Sequence, residues 1–329
     1  MSPNPLPSER YIEVVDAVDR LGTQQAAADF LGIKRTTLQA RLVSARLLGI
    51  APKKAPIAPA KEPPPAKPRV RMQAAREGGT VYRVQAIGDA HNDPSIPRDR
   101  FRWLGRHAAD FGADYAVSIG DWDTLDSLNS HIPNDTLQGK QKNAYATDLQ
   151  AAEESLVEYD RGLGSHKIKK HKTMGNHERR AWLYEEHNPE SQNLLVGPLT
   201  CLQEQYGWGW SEYGEFFFLG GVGFIHAPLN KLGKTFGGET RQNVLNKMTF
   251  DMVRGHDHNS YVHTSPKFGP QERVKLIGLG CALPHGLIEK YALHALTGWD
   301  WGVYELLIAN GRIEQEAFVS MAELERRYG

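Results

Sequence analysis

Val253-Arg254-Gly255-His256-Asp257-His258-Asn259 sets two imidazoles two residues apart, directly after a glycine and at the end of a short apolar run. On an extended strand, residues i and i+2 share a face, but the glycine argues for a turn, on which two histidines can converge on one point. Neutral imidazole is the commonest protein ligand for transition metals. Alone, the pair is equally compatible with ligation and with ordinary surface use.

Three other apolar runs and one further strand-like segment end in similar chemistry. "TVYRVQAI" runs into Gly88-Asp89-Ala90-His91, "ADYAVSI" into Gly120-Asp121, a third strand-like segment into Gly175-Asn176-His177-Glu178, and "FFFLGGVGFI" into His226. Singly, each has a plain explanation, since Asp and Asn cap helices and turns and glycine ends strands. Together they describe five strands whose carboxyl ends carry polar groups, the edge at which open α/β sheets gather function. The elements between them fit this layout. In "RDRFRWLGRHAADFG" Phe101, Leu104, Ala108 and Phe111 recur at helical spacing, and a long amphipathic helix is expected over 143–163.

The ordered blocks D-x-H, G-D, G-N-H-E, H and G-H-x-H, spanning residues 86 to 258, resemble the calcineurin-like metallophosphoesterase superfamily. The resemblance implies a four-layer α/β/β/α sandwich and two divalent metal ions, manganese first, with iron, zinc or magnesium as alternatives. It implies that Asp89, His91 and His258 hold one ion, that Asn176, His226 and His256 hold the other, and that Asp121 bridges both. A shared carboxylate suits two cations roughly 3.5–4 Å apart, because it offsets their repulsion. A metal-bridging hydroxide would attack phosphorus, His177 would assist the leaving oxygen, and Glu178 would orient His177. Serine/threonine phosphatases of the superfamily carry "GDxVDRG", whereas this chain has "GDWDTLDS", with Thr124 where a carboxylate is usual and no arginine in the block. Arg179 and Arg180 could compensate. His131, His166, His171, His263 and His285 lie outside the blocks and read as surface groups or as supports behind the ligands. Trp299-Asp300-Trp301 reads as packing rather than base stacking.

The N-terminal part differs in character. Residues 1–72 hold 12 Lys and Arg against 6 Asp and Glu, leaving 27 against 33 in the remainder, so a basic N-terminal part is joined to an acidic body. Nucleic acid is the expected partner of the former. Helices are expected over 8–22 and 24–31, with Thr23 capping the second, then a turn at Gly32 and a third helix. The stretch "GTQQAAADFLGIKRTTLQARL" resembles the Fis-type helix-turn-helix. The resemblance implies a DNA contact through Lys34, Arg35, Thr36, Thr37, Gln39 and Arg41 on its outward face, with Ile33 and Leu38 inward. A helical cap or oligomerisation module is the alternative. Residues 51–69 alternate Pro, Ala and Lys with no hydrophobic period and read as an extended spacer.

With 329 residues and 40% hydrophobic composition the chain can bury one large core and a small second one. No apolar run reaches the ~18 residues of a membrane span, and the first residues lack the charged and apolar regions of a secretory signal, so a cytoplasmic location is expected. Cys201 and Cys281 form no metal or disulfide pattern. The expected organisation is a helix-turn-helix domain (1–50), a spacer (51–72) and an α/β metallophosphoesterase domain (73–329). The expected function is a phosphodiesterase or nuclease acting on DNA. The alternatives are a phosphomonoesterase acting on phosphoprotein or nucleotides, or a DNA-binding regulator. Oligomeric state is not readable from the sequence.

Overall fold

A computed structural model describes residues 8–47, 80–133, 135–236, 241–269, 272–289, 292 and 297–329. Its contacts divide the chain into two units, Met1–Pro68 and Arg69–Gly329. The Pro/Ala/Lys-rich segment 51–72 lies outside the described residues.

In the first unit, α1 (Ser8–Leu21), α2 (Gln24–Phe30) and α3 (Arg35–Leu47) enclose Val14, Ala17, Ala27, Ala28 and Leu38. Small alanines on α2 let the helices approach closely. Thr23 caps α2, its hydroxyl accepting from Ala26 N–H at 3.2 Å. Gly32, at φ 61°, turns the chain toward α3.

The described residues of the second unit form eleven strands in two sheets. The first sheet has the order β11 (Arg312–Ser320), β10 (Gly302–Ala309), β1 (Tyr82–Ile87), β2 (Tyr115–Ser118), β3 (Lys169–Thr173), β4 (Trp208–Ser211). β1 to β4 run parallel, and β10 and β11 complete the sheet in antiparallel fashion. The second sheet has the order β5 (Phe217–Leu219), β6 (Val222–Ile225), β7 (Met252–Arg254), β9 (Arg273–Leu279), β8 (Ser260–Pro266), with β6, β7 and β9 parallel. The helices that accompany them are α4 (Asp99–Phe111), α5 (Leu137–Lys140), α6 (Tyr145–Leu163), α7 (Arg179–His187), α8 (Val196–Gln205), α9 (Arg241–Lys247) and α10 (Met321–Tyr328).

Three apolar interfaces make this an α/β/β/α sandwich. Val84, Ala86, Val117 and Ile119 of the first sheet meet Val222, Phe224, Val253 and Ile277 of the second. Phe101, Leu104, Ala108, Leu156 and Leu324 pack α4, α6 and α10 against the outer face of the first sheet. Val244 and Leu245 of α9 cover the second, against Met252, Val274 and Leu276. Each buried aliphatic side chain contributes roughly 1.5–3 kcal/mol. Strands flanked by apolar layers on both faces explain the near-continuous apolar runs.

One element departs from expectation. The run 216–225 is not a single strand but the hairpin β5–β6, which reverses at Gly220 and Gly221 (φ 55° and 88°), a backbone region that glycine enters without steric penalty.

The crossing of α4 and α6 fixes the layer behind the site. A methyl added at Gly105 would overlap the Tyr159 carbonyl oxygen, and one at Gly162 the Arg102 carbonyl oxygen, so the two helices touch backbone to backbone. Gly105→Ala removes a helix-propensity penalty of about 1 kcal/mol, yet overpacking costs about 1–3 kcal/mol or more. The expected result is a melting temperature lowered by roughly 2–8 °C, measured by thermal unfolding. An increase would show that the helices are not in backbone contact.

Candidate metal centre

The site lies where the carboxyl ends of β1, β2 and β3 meet those of β6 and β7. Asp89 and His91 follow β1, Asp121 follows β2, Asn176, His177 and Glu178 follow β3, His226 follows β6, and His256 and His258 follow β7. All the residues of the five sequence blocks therefore come together, although the chain runs from Asp89 to His258 between the first and the last of them.

Among the described residues, donor atoms converge in three overlapping groups, one of which joins His91, Asp121 and His177. Asp89, His91 and His258 form a second; Asp121, His226 and His256 form the third; in each, the ligating atoms lie within 4.8 Å of one another. His91 Nε2 and His258 Nε2 are 3.0 Å apart, and His258 Nε2 is 3.6 Å from Asp89 Oδ1. On the other side, His226 Nε2 lies 3.2 Å from His256 Nδ1, 2.9 Å from Asn176 Oδ1 and 3.3 Å from Asp121 Oδ2. Nitrogen separations near 3 Å are those of two donors each about 2.0–2.1 Å from a shared ion. Mixed imidazole, carboxylate and amide donors suit a first-row divalent metal. The residues present therefore fit a pair of metal ions.

Backbone geometry shows how the side chains are aimed. Among the described residues, seven non-glycine residues have positive φ, and four belong to the site: His91 (43°), Asp121 (47°), His256 (76°) and His258 (54°). Such conformations cost of order 1–3 kcal/mol each and persist where surrounding contacts over-determine them. Those contacts are visible. His91 N–H donates to the Asp121 carbonyl (2.8 Å) and Asn92 N–H to the Trp122 carbonyl (2.7 Å), zipping the β1 and β2 loops together. His256 N–H donates to both oxygens of Asp89 (3.1 Å each). Gly255 allows this approach, because a Cβ there would overlap the Asp89 carboxylate. The glycine ahead of the paired histidines is thus a packing requirement.

Electrostatics follow from burial. Desolvation, with the neighbouring Asp121 charge, raises the Asp89 carboxyl well above its ordinary range, and desolvation raises Asp121 against the opposing effect of His91. Burial pushes His226 down to about 4 and holds His258 well below the imidazole range, so both present neutral nitrogens. His91 differs. Burial opposes its charge, but the Glu289 carboxylate 3.3 Å from its Nδ1, together with Asp121 and Asp89, raises it to about 9. Two buried carboxylates are a natural place for cations.

His177 lies at the edge of this cluster. Its Nδ1 is 3.0 Å from the Thr124 carbonyl, which makes Nδ1 the protonated nitrogen, and its Nε2 faces the centre, 3.9 Å from Asp121 Oδ2. Burial, with His91 and Arg180, holds the ring well below the imidazole range.

The expectation that Glu178 orients His177 is corrected by these contacts. The buried Glu178 carboxylate instead accepts main-chain N–H groups of Asp121 (2.9 Å), Asp123 (3.0 Å) and Gly175 (2.8 Å). The orienting group is the backbone carbonyl of Thr124, at the position where the side chain departs from the phosphatase pattern. Arg180 supports that carbonyl (2.7 Å) and pairs with Asp126 (2.8 Å), while its Nη2 is 3.5 Å from His177 Nε2. Sequence reasoning missed Thr124 in this role because a carbonyl carries no residue identity. It also missed Glu289, which belongs to no block.

Of the other histidines, His171 is neither a surface group nor a support for the ligands. It stacks on Phe217 at 3.8 Å and is pushed to about 4 by burial. Trp301 packs, donating its indole N–H to the Leu287 carbonyl (2.8 Å), and Trp299 sets its ring edge-on to His258 at 4.3 Å. On the N-terminal helical unit, Lys34, Arg35 and Thr37 are exposed, and the Thr36 side chain lies outside the described residues. Gln39 and Arg41 are half-buried rather than outward, and Gln39 Nε2 donates to Gln24 Oε1 at 3.2 Å. The inner face of α3 is therefore wider than the periodicity suggests.

No family model matches this chain, and no curated protein matches it. Among solved structures, that of the protein TT1561 of Thermus thermophilus aligns over 74% of this chain and 100% of its own, with 11% identity and a TM-score of 0.29. No helix among the described residues is long and apolar enough to cross a membrane.

Replacing Glu178 by Gln tests the clamp. The amide keeps one acceptor oxygen but puts an NH2 group where a second acceptor is needed, opposing main-chain donors in a buried setting, at a cost of about 1–3 kcal/mol. The expected outcome is a lower melting temperature together with weaker metal binding, read by thermal unfolding and by elemental analysis after dialysis. Unchanged metal affinity at reduced stability would separate Glu178 from the geometry of the site.

Proposed function

We propose that this protein is a dinuclear metal-dependent phosphoester hydrolase acting on phosphodiesters of DNA. The observation that carries the proposal is the placement of Asp121 between two histidine-containing donor groups, 3.3 Å from His226 Nε2 and 3.9 Å from His91 Nε2. Two divalent ions, when bound, supply Lewis-acid stabilisation of phosphoryl charge and an activated water. Manganese is the first choice. Asp89, His91 and His258 would hold one ion and Asn176, His226 and His256 the other, with Asp121 facing both.

The chain's own groups then account for the rest of the chemistry. His177, fixed by the Thr124 carbonyl through Nδ1, directs Nε2 to the centre, where it can hydrogen-bond the leaving oxygen. Burial, His91 and Arg180 hold its ring toward the neutral form with Nδ1 protonated, so the proton it passes from Nε2 to the leaving oxygen would come from the water consumed in the hydrolysis. The guanidinium of Arg180, tied to Asp126 and the Thr124 carbonyl, adds positive charge on the same side. DNA as substrate is supported by the basic residues Lys34 and Arg35 exposed at the start of α3, at the position of a recognition helix. A binding module joined to a hydrolase raises the local concentration of its polymer substrate.

A panel of substrates tests this reading. The full chain with manganese is given bis-p-nitrophenyl phosphate, the corresponding mono-ester, a phosphopeptide, and labelled single- and double-stranded DNA. The diester and DNA should be turned over faster than the mono-ester and phosphopeptide. His177→Ala should keep its metals and lose about 10²–10⁴-fold in rate on DNA, with a smaller loss on the p-nitrophenyl diester, whose leaving group needs less help. Arg35→Ala should weaken DNA turnover and leave the small diester unaffected. Preference for the mono-ester with DNA intact would contradict the substrate assignment, and equal loss on good and poor leaving groups would contradict the role of His177.

A further inference from the structure

The connection between β9 and β10 belongs to none of the sequence blocks, yet it brings Glu289 to the metal centre. One carboxylate oxygen of Glu289 stands 3.3 Å from His91 Nδ1, on the side of the ring opposite the nitrogen that faces Asp89 and His258. His91 Nδ1 and the second carboxylate oxygen of Glu289 are buried without a hydrogen-bond partner among the described residues. A buried imidazole nitrogen that lacks any other partner favours contact with the carboxylate oxygen nearest to it.

The second donor group is supported differently. His226 Nδ1 is 3.0 Å from the carbonyl of Ile119, a neutral acceptor. The centre is thus asymmetric, with a carboxylate behind His91 of one position and a peptide carbonyl behind His226 of the other. The same β9–β10 connection also carries Trp299, whose ring meets His258 edge-on at 4.3 Å. Two of the three ligands of the first position therefore depend on one segment.

We propose that Glu289 is a positioning residue for the Asp89–His91–His258 position: it accepts the Nδ1–H of His91, fixes Nε2 as the metal-facing donor, and makes that position the tighter of the two. The physical basis is general. A carboxylate behind a ligating histidine sets its tautomer and raises its basicity, and loss of such a partner typically weakens metal affinity about 10–100-fold. A carbonyl fixes the tautomer with less effect on basicity. This inference rests on the dinuclear reading given above and adds an order of affinity to it.

The test is metal binding by the full chain and by Glu289→Gln and Glu289→Ala, without substrate. Equilibrium dialysis against manganese gives the number and strength of positions, and cobalt loading followed by visible absorption reports the ligand field. The unaltered protein should bind two equivalents, one more tightly. In Glu289→Ala the tighter step should weaken about 10–100-fold while the other holds, and the cobalt bands filled first should shift. Glu289→Gln, which keeps an acceptor without the charge, should fall between. If both variants bind two equivalents with unaltered affinities, or lose both steps equally, the assignment to Glu289 is overturned while the dinuclear reading stands. If the unaltered protein binds no metal, the dinuclear reading itself fails and this inference with it.

Discussion

Three main-chain amides converge on one buried carboxylate, and the geometry of the centre depends on it. By accepting the N–H groups of Asp121, Asp123 and Gly175, Glu178 holds the loop after β2 against the loop after β3. Asp121 is thereby kept at φ 47°, a conformation that an isolated chain would leave. From there its carboxylate accepts the His177 N–H at 2.8 Å and reaches both donor groups. The adjoining loop is held in turn, since Asn92 donates to Asp123 Oδ1 (3.1 Å) and to the Ala151 carbonyl of α6 (2.8 Å). The backbone contact between α4 and α6 thus bears indirectly on the site, through the helix on which that loop rests.

What this frame holds is electrostatically uncomfortable without a cation. Asp89 and Asp121 are buried, each is pushed toward the neutral acid, and Asp89 feels the charge of Asp121 as a further penalty. Most of the surrounding imidazoles are pushed toward neutrality as well, which leaves lone pairs pointing inward. Folding has therefore assembled buried carboxyl and imidazole groups that disfavour charge, in strained loops that hydrogen bonds hold in place. Divalent cations would relieve the carboxylate repulsion and use the lone pairs together. Metal binding is consequently expected to compete with protons and to stabilise the fold.

The fold and the candidate centre were not equally legible in the sequence. β1, β2 and β7 could be read because parallel strands covered on both faces are largely apolar runs, whereas β3, Lys169-Lys170-His171-Lys172-Thr173, holds no apolar residue and was marked only by the Gly175-Asn176-His177-Glu178 block after it. The hairpin at Gly220 and Gly221 was hidden because apolar residues continue across its turn. Residue types identified the donors, but not the positive φ values of His91, Asp121, His256 and His258, which arise from hydrogen bonds between loops distant in sequence. Glu178 was assigned to its neighbour His177 by adjacency, whereas the turn after β3 carries its carboxylate to amides of another loop. Thr124 acts through its carbonyl and Glu289 through a connection with no recurring pattern, so neither had a signal to find. On α3, periodicity placed Gln39 and Arg41 outside, whereas both are half-buried and Gln39 bonds to Gln24 of α2.

The central claim is that Asp121 stands between two metal positions, and anomalous diffraction tests it most directly. Crystals grown with manganese and measured on the high-energy side of the manganese edge should show two anomalous peaks roughly 3.5–4 Å apart. One should lie among Asp89, His91 and His258, the other among Asn176, His226 and His256, with the Asp121 carboxylate in reach of both. A single peak remote from Asp121, or none at saturating manganese, would contradict the account.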